Sequence, residues 1–418
     1  MVTNPAGLWY SQFSQVRVSQ PVDPRKAKSE RSRLMRLCRI QLLTTIGLSR
    51  LALPFGDKQI QMTWVVGSIC FLVIALQTGF AVSGRRLAAM TGIAAVTVFE
   101  TLYYHDAFSP LSLLYLFGIY VPLCLTMPAL DSNSLREIWK SFVHLTAFLA
   151  VCGLIQVAVE LVSHGYFLDP LSLLPEQFQL AGYETLYKTS VGPFSYVKPN
   201  GMFALEPSFF SQFIALGLVA ELQYFRRKNI VVLLAAALLV SFAGTGLLVL
   251  LVALPFTKQS PKWVALAIAV GLVWSVAVGD KVKDFYSQRL EEINKPGQSG
   301  NARFVAPYQV MWEKWNESKE VMAVGIGAGQ SSLLGNQREA NLAPVAKVGL
   351  EFGLLGLVVF CFFWSGMYFN LALPACILAA LWAFYFVASG AFLHPPTVFP
   401  IWILTLGFMP ANQVAKRR

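Results

Sequence analysis

The chain has 418 residues, 56% of them hydrophobic and only 13% charged, against about 25% charged in an average soluble domain. That balance excludes a disordered chain and a soluble globular enzyme, because long uncharged windows are the mark of a membrane protein. The net charge of +11 invites a nucleic-acid partner, a reading that stands or falls on where the basic residues sit.

The first 37 residues are polar and basic and contain no apolar core of a signal peptide. They are expected to form a cytoplasmic arm that touches anionic lipid. The windows 59–84, 107–130, 229–257 and 352–415 then contain no Asp, Glu, Lys or Arg. Helices are expected near 38–54, 62–82, 87–104, 109–127, 139–163, 206–223, 229–242, 244–256, 262–279, 343–366, 369–390 and 395–411. Only helices or closed barrels satisfy the backbone in lipid, and continuous rather than alternating apolar runs favour helices. The expected fold is therefore all-α: one polytopic helical membrane domain over 38–411, of about twelve transmembrane helices at roughly 20 residues each, and a cytoplasmic tail at 412–418.

Residues 229–256 are the ambiguous segment. As one helix they would run about 42 Å at 1.5 Å per residue, well beyond a hydrocarbon core of about 30 Å. They contain Ser241-Phe242-Ala243-Gly244-Thr245-Gly246, a natural break, and have Arg226, Arg227 and Lys228 before them and Lys258 and Lys262 after. Basic flanks at both ends argue for a pair of helices that enters and returns. Both termini then fall on the cytoplasmic side, together with most of the 33 basic residues. In that layout the positive charge orients the chain, and no nucleic-acid partner is expected.

Two long polar stretches, 164–205 and 280–342, fall on the extracytoplasmic side. Transporters keep their key polar groups near the midplane; polar mass outside favours chemistry on a lipid-anchored substrate. The six cysteines lie in or beside spans as packing residues, and no cysteine or histidine spacing suits a metal. Glu206 directly precedes Pro207 at the mouth of an apolar helix. It is either a helix start, where a carboxylate suits the dipole, or a general base at the lipid–water boundary. Lys198 and Asn200 stand just before it. In the second stretch, Arg289 and Arg303 are either surface charges or anion-binding groups, since the guanidinium fork donates two parallel hydrogen bonds. An amphipathic helix to about Lys319 carries Tyr308, Trp312 and Trp315, for packing on the membrane surface or for stacking on sugars. Gly325, Gly327 and Gly329 are expected to form a turn, because no Lys-Ser/Thr follows them as in a nucleotide loop. Glu160 lies inside a span and is a functional candidate. Lys347 and Glu351, at i and i+4, can pair, and Arg50 and Glu100 are placed to reach the headgroups.

Four segments in order resemble the bacterial superfamily of O-antigen ligases and Wzy-type polysaccharide polymerases. They are Gly201-Met202-Phe203-Ala204-Leu205-Glu206-Pro207-Ser208; Ser241 to Gly246; Arg303 some twenty residues ahead of Gly325-Ile326-Gly327-Ala328-Gly329; and Ala340-Asn341-Leu342 running into Glu351-Phe352-Gly353-Leu354-Leu355-Gly356. The likeness covers roughly residues 195–360. It implies a glycosyltransferase of the GT-C-like membrane class in the bacterial inner membrane. Its donor and acceptor would be polyprenyl-diphosphate-linked oligosaccharides, with no metal and no cofactor. A flippase and a chain-length regulator would be its partners. The resemblance makes Arg303, with Arg289 and Lys198, the diphosphate clamp and Glu206 the group that positions or deprotonates the acceptor hydroxyl. Asn200, Asn341 and Tyr308 are the accompanying substrate contacts. Ala340 stands where ligases carry a His, and Gly244 where many carry Arg, so a polymerase is favoured over a ligase. A lipid-linked oligosaccharide flippase is the other alternative.

Overall fold

The computed structural model describes residues 24–405, apart from 56–57, 79–80, 105–108, 127–131, 184–185, 192–193, 258–290, 292–293, 297–298, 332–333, 335–341, 369–372 and 389–391. The helix expected at 262–279, and the candidates Arg289 and Asn341, lie outside the described residues.

The described chain is mostly helical. The helices of its first half are α1 (Pro24–Gly47), α2 (Met62–Thr78), α3 (Gly84–Tyr104), α4 (Pro110–Tyr120), α5 (Ser132–Val162), α6 (Pro207–Ala220), α7 (Lys228–Ser241) and α8 (Gly244–Ala253). The second half contains α9 (Ser299–Phe304), α10 (Ala306–Glu317), α11 (Lys319–Val324), α12 (Pro344–Tyr368), α13 (Ala375–Trp382) and α14 (Pro395–Leu404). Among the described residues three antiparallel strand pairs connect or brace them: the hairpins β1 (Ala52–Phe55) with β2 (Lys58–Gln61) and β5 (Lys188–Val191) with β6 (Phe194–Val197), and the long-range pair β3 (Ala81–Val82) with β4 (Leu125–Thr126).

Only two helical stretches among the described residues, Asn133–Val162 and Pro344–Met367, are long and apolar enough to cross a membrane. Gly353 (φ 62°) kinks the second of these stretches, and the other apolar windows are divided by local backbone features as well. Phe242 takes a left-handed conformation (φ 44°) and separates α7 from α8. π-Helical turns at Glu221–Phe225 and Ala383–Ala388 end α6 and α13, and Pro400 lies inside α14. At the N-terminus the departure is in the other direction. α1 begins at Pro24, inside the expected arm, because Lys, Arg and Glu are good helix formers even where no apolar stripe marks the turn.

The connections sort into two ends. At one end, Ser49 Oγ donates to the Phe203 carbonyl, Leu180 N to the Arg50 carbonyl, Tyr196 Oη to the Val240 carbonyl and Ser109 N to the Ala328 carbonyl. This end gathers the end of α1, the 164–205 stretch, the end of α7, the start of α4 and the loop after α11. At the other end, Arg39 Nε donates to Ser141 Oγ, Arg136 to the Tyr224 carbonyl, Trp402 Nε1 to the Leu125 carbonyl and Ser83 N to the Cys124 carbonyl.

Helix α6 is the axis of the bundle, with every residue from Pro207 to Ala220 buried. α8 packs on it closely. A side chain at Gly246 would meet the Ser211 backbone at 2.4 Å, so only hydrogen fits there. Ser211 Oγ also accepts from Gly246 N and lies 3.3 Å from Thr245 Oγ1. The outward faces of the helices remain apolar: Leu72 and Leu76 on α2, Val98 and Leu102 on α3, Phe148, Val151 and Ile155 on α5, Leu354, Val358 and Phe362 on α12 are all exposed.

Candidate functional site

Glu206 is the residue before α6, in extended backbone, and Pro207 occupies the first turn. Proline there lacks only an N–H that the helix would leave unused, and its fixed φ starts the turn. Glu206 is buried, its side chain 10% exposed. Its Oε2 accepts a hydrogen bond from Ser208 Oγ at 2.9 Å and another from Arg303 Nη2 at 3.2 Å. Arg303 lies in α9, 97 residues further along the chain, and its side chain is 19% exposed. Two charges held together away from bulk water attract strongly, and each would be costly to bury alone. The pair sits at the positive end of the α6 dipole, which favours the carboxylate further.

The approach to Glu206 is built from the 164–205 stretch. Gly201 and Met202 both have positive φ (65° and 69°), which turns the chain into α6. Asn200 is fully buried beneath this turn. Its Oδ1 accepts from Gln156 Nε2 and from Met202 N, both at 3.0 Å, while Gln156 Oε1 accepts from Gly201 N. Asn200 therefore shapes the backbone that presents Glu206. Glu160, flagged as a charge within a span, accepts from Val197 N at 2.7 Å and ties β6 to the end of α5. Lys198 follows β6, partly buried, with its N–H donated to the Tyr187 carbonyl. Tyr183 stands beside Glu206, and burial, with the nearby carboxylate adding to it, pushes its phenol up to about 12. It is a neutral O–H donor at any physiological pH. Tyr183 also contacts the rings of Phe209 and the buried His394, which lie 4.7 Å apart.

Arg50 and Glu100 do not reach outward to headgroups. Arg50 is buried; Nη1 and Nη2 donate to Asp169 Oδ1 and Oδ2 at 2.6 and 2.7 Å, and Nη1 also to the Met202 carbonyl. The 164–205 stretch folds back over the end of α1 and supplies a carboxylate at closer range than any headgroup. Glu100 is buried against Gly327. The glycine loop after α11 lies across α12. Ile326 N and Gly327 N donate to the Leu350 and Glu351 carbonyls, and all three glycines have positive φ. Lys347 Nζ is 3.5 Å from Glu351 Oε1, which also accepts from Ser331 Oγ. Tyr308 is on α10, partly exposed.

Of the residues singled out from sequence, Glu206 and Arg303 are brought into contact, Lys198 and Asn200 lie on the chain leading into α6, and Tyr308 is on the helix that follows Arg303. Sequence reasoning gave no role to Tyr183, Ser208 or Gln156. Ser208 was within reach, since a hydroxyl two residues after a carboxylate at a helix mouth can turn back to it. A lone Tyr among fourteen, or a Gln inside an apolar helix, has no such signal. A separate cavity of about 420 Å³ lies at the opposite end, between Arg39 and Leu42 of α1 and Lys140 and His144 of α5. Among the described residues no cluster of His, Cys, Asp and Glu could hold a metal ion. No protein-family model matches the chain, and no curated protein is significantly similar to it.

Proposed function

We propose that this protein is a membrane glycosyltransferase that joins polyprenyl-diphosphate-linked oligosaccharide repeat units into a polysaccharide at the outer face of the bacterial cytoplasmic membrane. The observation that carries the reading is the Glu206–Arg303 contact. An acid at a helix mouth and an arginine 97 residues away, each in a segment that resembles the polymerases, share one partly buried site. The proposal includes about twelve spans, counting 20 residues to each, with both termini cytoplasmic and both long polar stretches outside. The sorting of connections into two ends and the exposed apolar faces of α2, α3, α5 and α12 support that layout, since exposed apolar surface of that extent needs a covering solvent such as lipid.

The chemistry follows from the pair. An arriving diphosphate competes with Glu206 for the Arg303 guanidinium, whose planar fork suits phosphate oxygens. Transfer of Arg303 to the diphosphate takes the guanidinium off the carboxylate. The acceptor sugar hydroxyl then attacks the anomeric carbon of the donor. A new glycosidic C–O bond forms, the bond to the diphosphate breaks, and the diphosphate leaves with that electron pair. The hydroxyl proton passes to Glu206. Arg303 stabilises the charge that grows on the leaving group, and Tyr183 offers a neutral hydrogen-bond donor beside the carboxylate. Sugar partners, a flippase and a chain-length regulator remain part of what the resemblance implies.

The test is Arg303→Ala in cells that depend on this chain for polymer. Loss of one such electrostatic contact costs about 10²–10³ in rate, so polymer should fall to near nothing while the protein inserts at normal level and single repeat units accumulate on the carrier. Accumulation of long chains on the carrier would assign a ligase instead, and full polymer output would sink the proposal.

A further inference from the structure

The short helix after Arg303 has an unusual outward face. Tyr308 is 37% exposed and Trp312 60% exposed. They are four residues apart on α10, one turn above the other and about 6 Å apart along the axis. Phe304, also exposed, ends α9 next to Arg303, before the break at Val305 that separates α9 from α10. Trp315 is oriented differently. Its Nε1 donates to the Gly349 carbonyl at 2.9 Å and holds the helix on α12, while Ala306, Pro307 and Val310 fill the inner face. Trp315 thus accounts for the packing, and the other rings are left facing outward.

The exposed groups beside those rings on α10 are polar and include Gln309, Glu313 and Asn316. The outward faces of α3 and α12 contrast with this. Val98, Phe99 and Leu102, and Leu354, Leu355, Val358 and Phe362, are exposed there, and among the described exposed residues of the two helices Arg85, in the first turn of α3, is the one charged or amide side chain. A lipid tail laid on α10 would strip water from Gln309 and Glu313, and from the Lys314–Glu317 ion pair, at a cost. A pyranose ring has an apolar C–H face and a rim of hydroxyls. Rings flanked by amides and a carboxylate match both.

We infer that the outward face of α10 is a docking track for the oligosaccharide chain, with Tyr308 and Trp312 stacked on sugar rings and the Glu206–Arg303 pair at its end. The inference rests on the polymerase reading and adds to it a means of keeping the growing chain near the site between additions. Tethering of that kind raises the local concentration of the chain end without a new contact at the reacting atoms.

The experiment compares polymer length, by gel ladder or size exclusion, from cells carrying the full-length protein, Tyr308→Ala/Trp312→Ala, Tyr308→Phe/Trp312→Phe and Arg303→Ala. The double alanine variant should shift the distribution to short chains. Retention should weaken by roughly fivefold per ring, the factor that corresponds to about 1 kcal/mol of stacking. The double phenylalanine variant keeps the ring faces and should restore long chains. An unchanged length distribution in the double alanine variant, with Arg303→Ala inactive, overturns the track and leaves the polymerase reading standing. Full output from Arg303→Ala overturns both. A second readout uses vesicles of brominated phosphatidylcholine. Quenching of the fluorescence that is lost in Trp312→Phe would assign this face to lipid and overturn the track; unquenched Trp312 emission supports it.

Discussion

At the scale of single residues, two buried arginine–carboxylate contacts at the same end of the bundle differ in design. Arg50 and Asp169 use both prongs of the fork, and Arg50 also holds the Met202 carbonyl. The Glu206–Arg303 contact is a single 3.2 Å bond with a serine on the same oxygen. The first suits permanent anchoring of the turn that presents Glu206; the second suits exchange. Arg50→Ala should therefore lower stability by about 3–5 kcal/mol, because it leaves Asp169 buried without a partner. Thermal unfolding in detergent measures this, and Arg50→Met/Asp169→Leu should recover a large part of the loss. Recovery of nothing would mean that the Met202 contact, not the charge pair, carries the stability.

At the scale of elements, the break between α7 and α8 determines which residues can meet. The sequence signal was the length of an apolar window, its basic flanks and a small-residue run. In the structure Phe242 ends α7 with a left-handed residue, and both helices pack on α6. The close approach at Gly246 holds α8 there. Gly246→Ala would drive a methyl group into the Ser211 backbone, and overpacking of this kind typically costs about 1–3 kcal/mol. The expected outcome is a lower unfolding midpoint and a weakened site, since Glu206 directly precedes α6. Gly244→Ala, where nothing lies within 4 Å of the added carbon, should have little effect and serves as the control.

At the scale of the whole molecule, the connections fall at two ends, and the proposed chemistry belongs to one. Ser190, in the β5–β6 hairpin, and Ser299, at the start of α9, are both in stretches that meet at the Glu206 end. Ser190→Cys and Ser299→Cys, in a background with the exposed Cys361 replaced by Ser, should both react with an impermeant thiol reagent from outside intact spheroplasts. Labelling of only one would separate the two stretches across the membrane and rule out the proposed layout.

The sequence by itself determined the helical class, the positions of most helices and the two candidates that meet. Charge-free windows and basic flanks are local properties, and the polar residues at Glu206 and Arg303 stood in short recognisable segments. It did not determine where the charges near the helix ends go. Arg50 and Glu100 were read as reaching for headgroups, and only tertiary structure supplied Asp169 and the glycine loop as their nearer surroundings. The resemblance implies a substrate contact at Asn200; the bonds its buried Oδ1 accepts from Gln156 and Met202 depend on α5 lying beside the turn. The aromatic helix divided in the same way. Its spacing was visible from the start, but which ring packs inward at Trp315 and which face outward at Tyr308 and Trp312 depended on where α12 lies. Local pattern sets the element, while the partner of a buried polar group is chosen by residues a hundred positions away.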